Sequence, residues 1–377
     1  MSESKIPKTA MLVFLLSFSI LPNSGLAKYS GGTGDVNDPY QIATVADLLA
    51  LRADTNDYGK NFALTADIDL AAYTFTTAVI APDGNNSNYE FDGIAFTGVF
   101  DGAGHKIINL TVDTDGAGNE CLGLFGAIAL GEVKNLGLEN VSIASGNNSW
   151  CLGGLAGWNN GAISNCYSTG TVTSGSDSMC LGGLVGLNYW GTISNCFATG
   201  IVTSGNGSSF LGGLAGYNYF GTISNCFSTG TVTSGNDSLY LGGLVGGNDG
   251  TINSCYFLVG SGPDNELGTP LTDEQMKQQS SFLGWDFVGE TTNGTKDIWR
   301  MCIDGVSYPL LWWQFSTGDF VCPDGVNFAD FAIMANAWLS NLADVNWNGR
   351  CNIAKLPDNV IDVRDLAIFW DNWLKSD

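Results

Sequence analysis

Apolar positions along this chain change period several times, and each change predicts a different element. In "NFALTADIDL", Phe62, Leu64, Ala66, Ile68 and Leu70 occupy every second position, the pattern of a half-buried strand. "FDGAGHKIINLTV" repeats it after an Asp101-Gly102 turn, with Ile108, Leu110 and Val112 alternating. Upstream, Val45, Leu48, Leu49 and Leu51 share one helical face, and Thr44 with Asp47 has capping-box spacing. A short helix is expected near 45–54.

From Cys121 to about Tyr256 the pattern becomes a repeat. Leu-Gly pairs begin at Leu122, Leu152, Leu181, Leu211 and Leu241, a spacing of 29 or 30. Each unit has a Gly-rich turn, a run such as "GTISNCF", another turn, then "TGTVTSG". β-Branched residues between Gly and Asn turns predict about three short strands per unit. So small a unit cannot bury its own apolar face, so units must stack. Gly and Thr at this density oppose helix, which excludes helical solenoids. The predicted fold is all-β, a right-handed parallel β-helix with about 30 residues per coil, followed by a small all-α module. Equivalent residues of neighbouring coils then lie about 4.8 Å apart. Asn159, Asn188, Asn218 and Asn248 share a column, as do Asn165, Asn195 and Asn225, which suits amide ladders along the axis.

Beyond the repeats, "GWDFVGETTNGTKDIWRMCIDGVSYPLLWW" has no repeat and many aromatics, and reads as a cap closing the last coil. A short helix is expected from Thr272, with an acidic first turn. The last sixty residues carry a duplication at a spacing of 35: "NFADFAIMANAWLS" and "DVRDLAIFWDNWLK", each an acidic loop end followed by an amphipathic helix.

Composition narrows the function. The chain has 37 acidic and 14 basic residues, a formal charge of −23, which repels nucleic acid and suits contact with cations. Lys5 and Lys8 before "MLVFLLSFSIL", with "SGLA" after it, predict a signal peptide at 1–27 cut after Ala27; the rival reading is an uncleaved anchor. The run is short for a membrane span, so the mature chain is expected to be secreted or at the cell surface, with no transmembrane segment.

The pattern "GGLVGxNxxGTISNCxxTG" is similar to the GLUG-motif repeats of bacterial surface and secreted proteins. The preceding "GDVNDPYQIATVADLLAL" and "FTGVFDGAGHKIINL" look like the region that caps such repeats. The resemblance implies a β-helix of adhesin-like or carbohydrate-associated type, and the motif itself implies no catalysis. In the C-terminal region, "DVNWNG" supplies Asp344, Asn346, Asn348 and Gly349, the start of a calcium loop, with Asp362 and Asp365 at positions 9 and 12 after an interruption. A weaker first loop has Asp319, Asn327 and Asp330 at positions 1, 9 and 12, with Val321 and Pro323 at 3 and 5. Two such loops, each followed by a helix, resemble a dockerin type I, EF-hand-like module. That resemblance implies Ca2+ and a cohesin-like scaffold partner; the plainer alternative is a solvated acidic loop.

Little in the repeats resembles an active site. Between Val141 and Asn248 only Asp177 and Asp237 are charged, both in "TSG-x-D-S" turns. His105, the only histidine, stands in a Gly turn with no Ser or Cys partner motif. Trp158, Tyr189, Trp190, Tyr217, Tyr219 and Phe220 fall in one turn across three coils and are the candidate ligand-binding residues. Such rings either stack on sugar or a partner, or shield the coil edge. Cys121, Cys151 and Cys180 form one column and Cys166, Cys196, Cys226 and Cys255 another. They are expected to be mostly free thiols packed in or near the core, whereas Cys322 and Cys351 are expected to pair.

The expected organisation is a signal peptide (1–27), an N-terminal cap with the first coils (28–120), the repeats (121–256), a C-terminal cap (257–318) and the calcium module (319–377). The expected function is non-catalytic adhesion or contact with a polysaccharide or cell-surface component. The alternative is a polysaccharide-degrading lyase or hydrolase of pectin-lyase-like fold, its site in the N-terminal coils around 84–135.

Overall fold

Strands of successive repeats pair in parallel through the whole repeat region. The computed structural model describes residues 28–85, 90–289, 292–322, 326–341, 343–346, 348, 351–354 and 360–373. The expected signal peptide, together with Pro323 and Gly349 of the expected calcium loops, lies outside them. The fold is a parallel β-solenoid of about five turns with three faces. One face is a five-stranded sheet in which Glu120–Leu122, Trp150–Gly153, Met179–Gly182, Ser209–Gly212 and Leu239–Gly242 lie side by side. Leu152 pairs with Leu122 and Leu181, and Leu211 with Leu181 and Leu241, so the 29–30-residue spacing is the coil length. The other two sheets have eleven and twelve strands and extend the stack back to Tyr40–Ile42 and Ile68–Asp69.

The interior is a column stack. Leu155, Leu184, Leu214 and Leu244 are fully buried, as are Val133, Ile163, Ile193 and Ile223. Burial of each such side chain contributes roughly 1.5–3 kcal/mol, which a single coil could not collect alone. Gly is required where coils approach closely: a Cβ on Gly186 would meet the Cys151 and Leu152 backbone at 2.6 Å. Asn159, Asn188, Asn218 and Asn248 form the expected ladder, each Nδ2 donating to the next Oδ1 at 2.7, 2.7 and 2.6 Å. Asn159, Asn188 and Asn218 are fully buried, and the ladder answers the cost of about 1–3 kcal/mol that each unpaired amide would carry.

The N-terminal helix α1 (Val45–Ala53) has its Thr44/Asp47 capping box and buries Leu48 and Leu51. The alternation after Asp101 is only partly kept. Ile107 is buried and Ile108 only half so, because Asn109 (φ 59°) is left-handed and flips the parity before Leu110 and Val112.

The segment after the repeats differs from the expected end cap. Residues 261–265 do close the last coil: Val232 N–H donates to Ser261 O, and Asn265 Nδ2 to Val245 and Gly246 O. Helix α2 (Asp273–Met276) begins at Thr272 as expected. The remainder then runs back along the flank. Tyr167, Phe197 and Phe227 stack on the outer face with ring centroids 4.9 Å apart, and Tyr256 continues their column. Trp285 and Trp299 cover Phe227, and Trp313 reaches Tyr167, three coils back from Tyr256. Outward rings on four coils required cover along the side, not only at the end.

Candidate functional site: an exterior aromatic strip

The candidate aromatics sit where the first long sheet bends between Val185–Tyr189 and Thr192–Ser194, and again between Ala215–Tyr219 and Thr222–Ser224. At the bend, Trp190 (φ 58°) and Phe220 (φ 52°) are left-handed, which reverses the pleat and turns both rings to solvent. They are 60% and 48% exposed and stack at 4.9 Å. Beside them Tyr189 and Tyr219 stack at 5.2 Å, and Tyr219 meets Phe220 edge-on at 4.5 Å.

Trp158 and Tyr217 occupy a different column from Tyr189. Trp158 pairs with Leu187, and Leu187 with Tyr217, while Tyr189 pairs with Tyr219. The second turn is one residue shorter at the bend: "WNNG" stands where the third has "LNYWG". Trp158 still touches the strip, its ring 5.7 Å from Tyr189. All six candidates therefore meet on one outer face, four half-buried and two exposed.

Sequence reasoning missed what lies beneath. Cys121, Cys151 and Cys180 also have φ of 50–60°, so they project outside the solenoid core. With Leu187 they form a separate buried cluster under Trp158, Tyr189, Tyr217 and Tyr219. The strip is thus partly a lid over a cysteine column. The second column, Cys166, Cys196, Cys226 and Cys255, is interior; all seven repeat cysteines are free and buried, as expected. Burial pushes the Cys151, Cys166 and Cys226 thiols well up, which keeps them protonated and slow to react. The other cysteine expectation is corrected. Cys322 bonds to Cys302, Cα atoms 5.6 Å apart, and Cys351 is buried among Phe320, Met334, Ile361 and Phe369. The bridge ties the flank segment to the start of the helical module instead of joining its two loops.

The predicted calcium ligands are placed as follows. Helices α3 (Phe328–Asn336) and α4 (Val363–Asp371) start at Asn327 and Asp362, each with a capping box completed by Asp330 or Asp365. Asp330 Oδ1 also accepts from Phe320 N (2.5 Å) and Val321 N (2.7 Å), and Oδ2 from Asn327 N (3.0 Å). Asp365 Oδ1 accepts from Ile353 N (2.7 Å) and Ala354 N (2.8 Å), and Oδ2 from Asp362 N (2.9 Å). The counterpart of Asp319 is therefore Asn352, which precedes Ile353 as Asp319 precedes Phe320, and not Asp344. Asp344 accepts from Asn341 N, Asn346 donates to Asn336 O, and Asp362 takes Arg364. Asn348 is half-buried. A bidentate position-12 ligand needs both carboxylate oxygens, and the Oδ1 of Asp330 and of Asp365 already holds two amides. As placed among the described residues these donors do not fit calcium, and no group of three described His, Cys, Asp or Glu gathers at one point.

The catalytic candidates do not converge. Asp177 and Asp237 are exposed turn residues with φ 57° and 59°, and His105 Nδ1 lies 3.0 Å from Asp67. In the N-terminal coils Arg52 donates to Ala78 O, Val79 O and Thr77, and Lys134 pairs with Glu132 at 3.2 Å.

Residues 148–173, 177–203 and 207–233 match the model of the GLUG motif. Those turns are GLUG repeats. The matched GLUG turns are the second, third and fourth of the five, and they carry the whole expected aromatic set. Halomucin of Haloquadratum walsbyi is 39% identical over 147 residues, 38% of this chain and 2% of that protein. The chain therefore spans about a fiftieth of that relative's length. A solved structure described as a candidate immunoglobulin A1 protease from Bacteroides ovatus aligns over 76% of this chain and 96% of its own, with TM-score 0.50 and 18% identity. That similarity speaks for the solenoid fold alone. No helix among the described residues is long and apolar enough to cross a membrane.

Proposed function

We propose that this protein is a non-catalytic solenoid, secreted or at the cell surface, that holds a glycan along its GLUG aromatic strip. The observation that carries the reading is the Trp190–Phe220 pair, stacked, solvent-facing and left uncovered by the described residues, which do cover the Tyr167–Phe197–Phe227 column. Sugar rings present flat C–H faces that such rings accept at roughly 1 kcal/mol each. The match to halomucin, a mucin by name, supports a surface setting. The enzyme reading lacks a convergent acid–base group to support it. The helical pair at 319–373 is proposed as the tether to a scaffold partner, on the sequence resemblance alone. The test is a glycan array probed with the full chain and with a Trp190→Ala/Phe220→Ala double variant. Glycans bound by the first and lost by the second support the strip; equal binding by both removes it.

A further inference from the structure

The strip ends differently from how it runs. Two columns lie side by side on its inner margin. One holds Cys121, Cys151, Cys180, Phe210 and Tyr240; the other, paired strand to strand, holds Ala127, Trp158, Leu187, Tyr217 and Gly247. Through the middle turns the second column roofs the first: Trp158 and Leu187 cover cysteines, and Tyr217 stacks on Phe210 at 4.5 Å. In the last turn the roof residue is Gly247, and the ring beneath it is left bare. Tyr240, stacked on Phe210 at 4.7 Å, is 59% exposed. The next column also changes there. Asp249 follows Asn248 where Tyr219 follows Asn218, and its carboxylate accepts the Tyr217 hydroxyl. The result is a cleft of about 390 Å3 bounded by Phe210, Tyr217, Tyr240, Gly247, Asp249 and Asn265. Gly247 keeps it open, because a Cβ there would stand 2.6 Å from the Phe210 ring.

We infer that this cleft is a binding subsite for one pyranose ring of a neutral or amino-substituted glycan, an inference that rests on the strip's being a glycan surface. The missing roof leaves one face of Tyr240 bare, its other face stacked on Phe210, and against that bare ring a pyranose lays its C–H face. Asp249, at the rim, accepts hydroxyl or ammonium donors. Aromatic faces with a few placed polar groups are the composition of a small-ligand site. The charge decides between glycan classes. A carboxylate at the rim on a chain of net charge −23 repels uronate and sulfate groups and tolerates neutral or cationic sugars. The strip then supplies further stacking positions two columns away, so a chain of several sugars would gain over a single one.

The probes are cellohexaose, xylohexaose, chitohexaose and chitosan hexamer as neutral or cationic glycans, with oligogalacturonate as the acidic one. Each is titrated calorimetrically into the full chain and into Tyr240→Ala, Gly247→Trp and Trp190→Ala/Phe220→Ala. Gly247→Trp fills the cleft, its Cβ displacing the Phe210 ring; Tyr240→Ala removes an exposed ring, so it tests the cleft without depending on that displacement. The expected result is binding of at least one neutral or cationic hexamer, weakened tenfold or more by both cleft variants, with oligogalacturonate not bound. Hexamer binding unchanged in both cleft variants but lost in the strip variant overturns the subsite and leaves the strip standing. Binding lost in the cleft variants and unchanged in the strip variant upholds the subsite and overturns the strip. Preference for oligogalacturonate, or no binding of any probe, overturns the subsite.

Discussion

Two of the solenoid's aromatic stacks are built in the same way and have opposite fates. Tyr167, Phe197 and Phe227 stack on one face at 4.9 Å and are buried beneath Trp285, Trp299 and Trp313. Tyr189 with Tyr219 and Trp190 with Phe220 stack on another face at 5.2 and 4.9 Å and have no such roof among the described residues. Coil stacking at the strand spacing makes a ladder of any outward aromatic column. The ladder itself therefore says nothing about function. What separates a structural ladder from a candidate surface is whether the chain returns to cover it, and of these two the described residues cover the first.

The comparison can be broken at several points. Phe227→Ala should have the largest effect, about 3–5 kcal/mol, since it empties a site packed against Phe197, Trp285 and Trp299. Denaturant unfolding reads it, and a loss near zero would mean that the flank segment does not hold the stack. Asp365→Ala should cost on the order of 3 kcal/mol to the helical module, because three amides lose their acceptor. Measured in chelator, this also separates the two readings of the acidic loops. A pure calcium ligand would lose nothing there, and an amide-holding aspartate loses as much with calcium as without. Asn188→Ala, with one ladder amide left unanswered on each side, should cost roughly 2 kcal/mol by the same unfolding assay.

Smaller effects sharpen the contrast. Asp47 is desolvated, which raises its pKa, but hydrogen bonds from Ser30, Thr44 and the Ala43 and Thr44 amides outweigh this and hold it below the usual carboxylate range. A depressed folded pKa gives stability that is complete above the unfolded value of about 4 and lost as pH falls through the folded one. The N-terminal cap should therefore loosen below pH 4, in advance of the acid-poor repeats, as followed by hydrogen exchange of the α1 amides. Asp47→Asn should flatten that dependence. Smallest of all, Trp190→Ala/Phe220→Ala should change stability by about 0.5 kcal/mol or less, as surface substitutions do, while removing glycan binding. A large destabilisation would make the strip a shield and not a platform.

Much of this was legible in the sequence because it is periodic. The 29–30-residue spacing determined the coil, the Asn159–Asn248 column announced its ladder, and Thr44 with Asp47 marked the start of α1. Cysteines replaced by Phe210 and Tyr240 in one column already pointed to packed thiols instead of bridges. Less could be read where a left-handed residue changes which way a side chain faces. Asn109 moved the buried position from Ile108 to Ile107, and the φ of Cys121, Cys151 and Cys180 put a cysteine column outside the core.

The sequence by itself therefore determined the unit, its length and what stacks on what, since these follow from spacing and from the need of a small unit to bury its apolar face on its neighbours. Only the tertiary structure decided which column is roofed and by which segment. Contacts between residues far apart in the chain set that: Trp313 on Tyr167, Cys302 on Cys322, and the amides of Ile353 and Ala354 on Asp365. A motif at the right spacing, such as "DVNWNG", fixes which ligand atoms are near in sequence. Where those atoms point is settled by the backbone donors that reach them first.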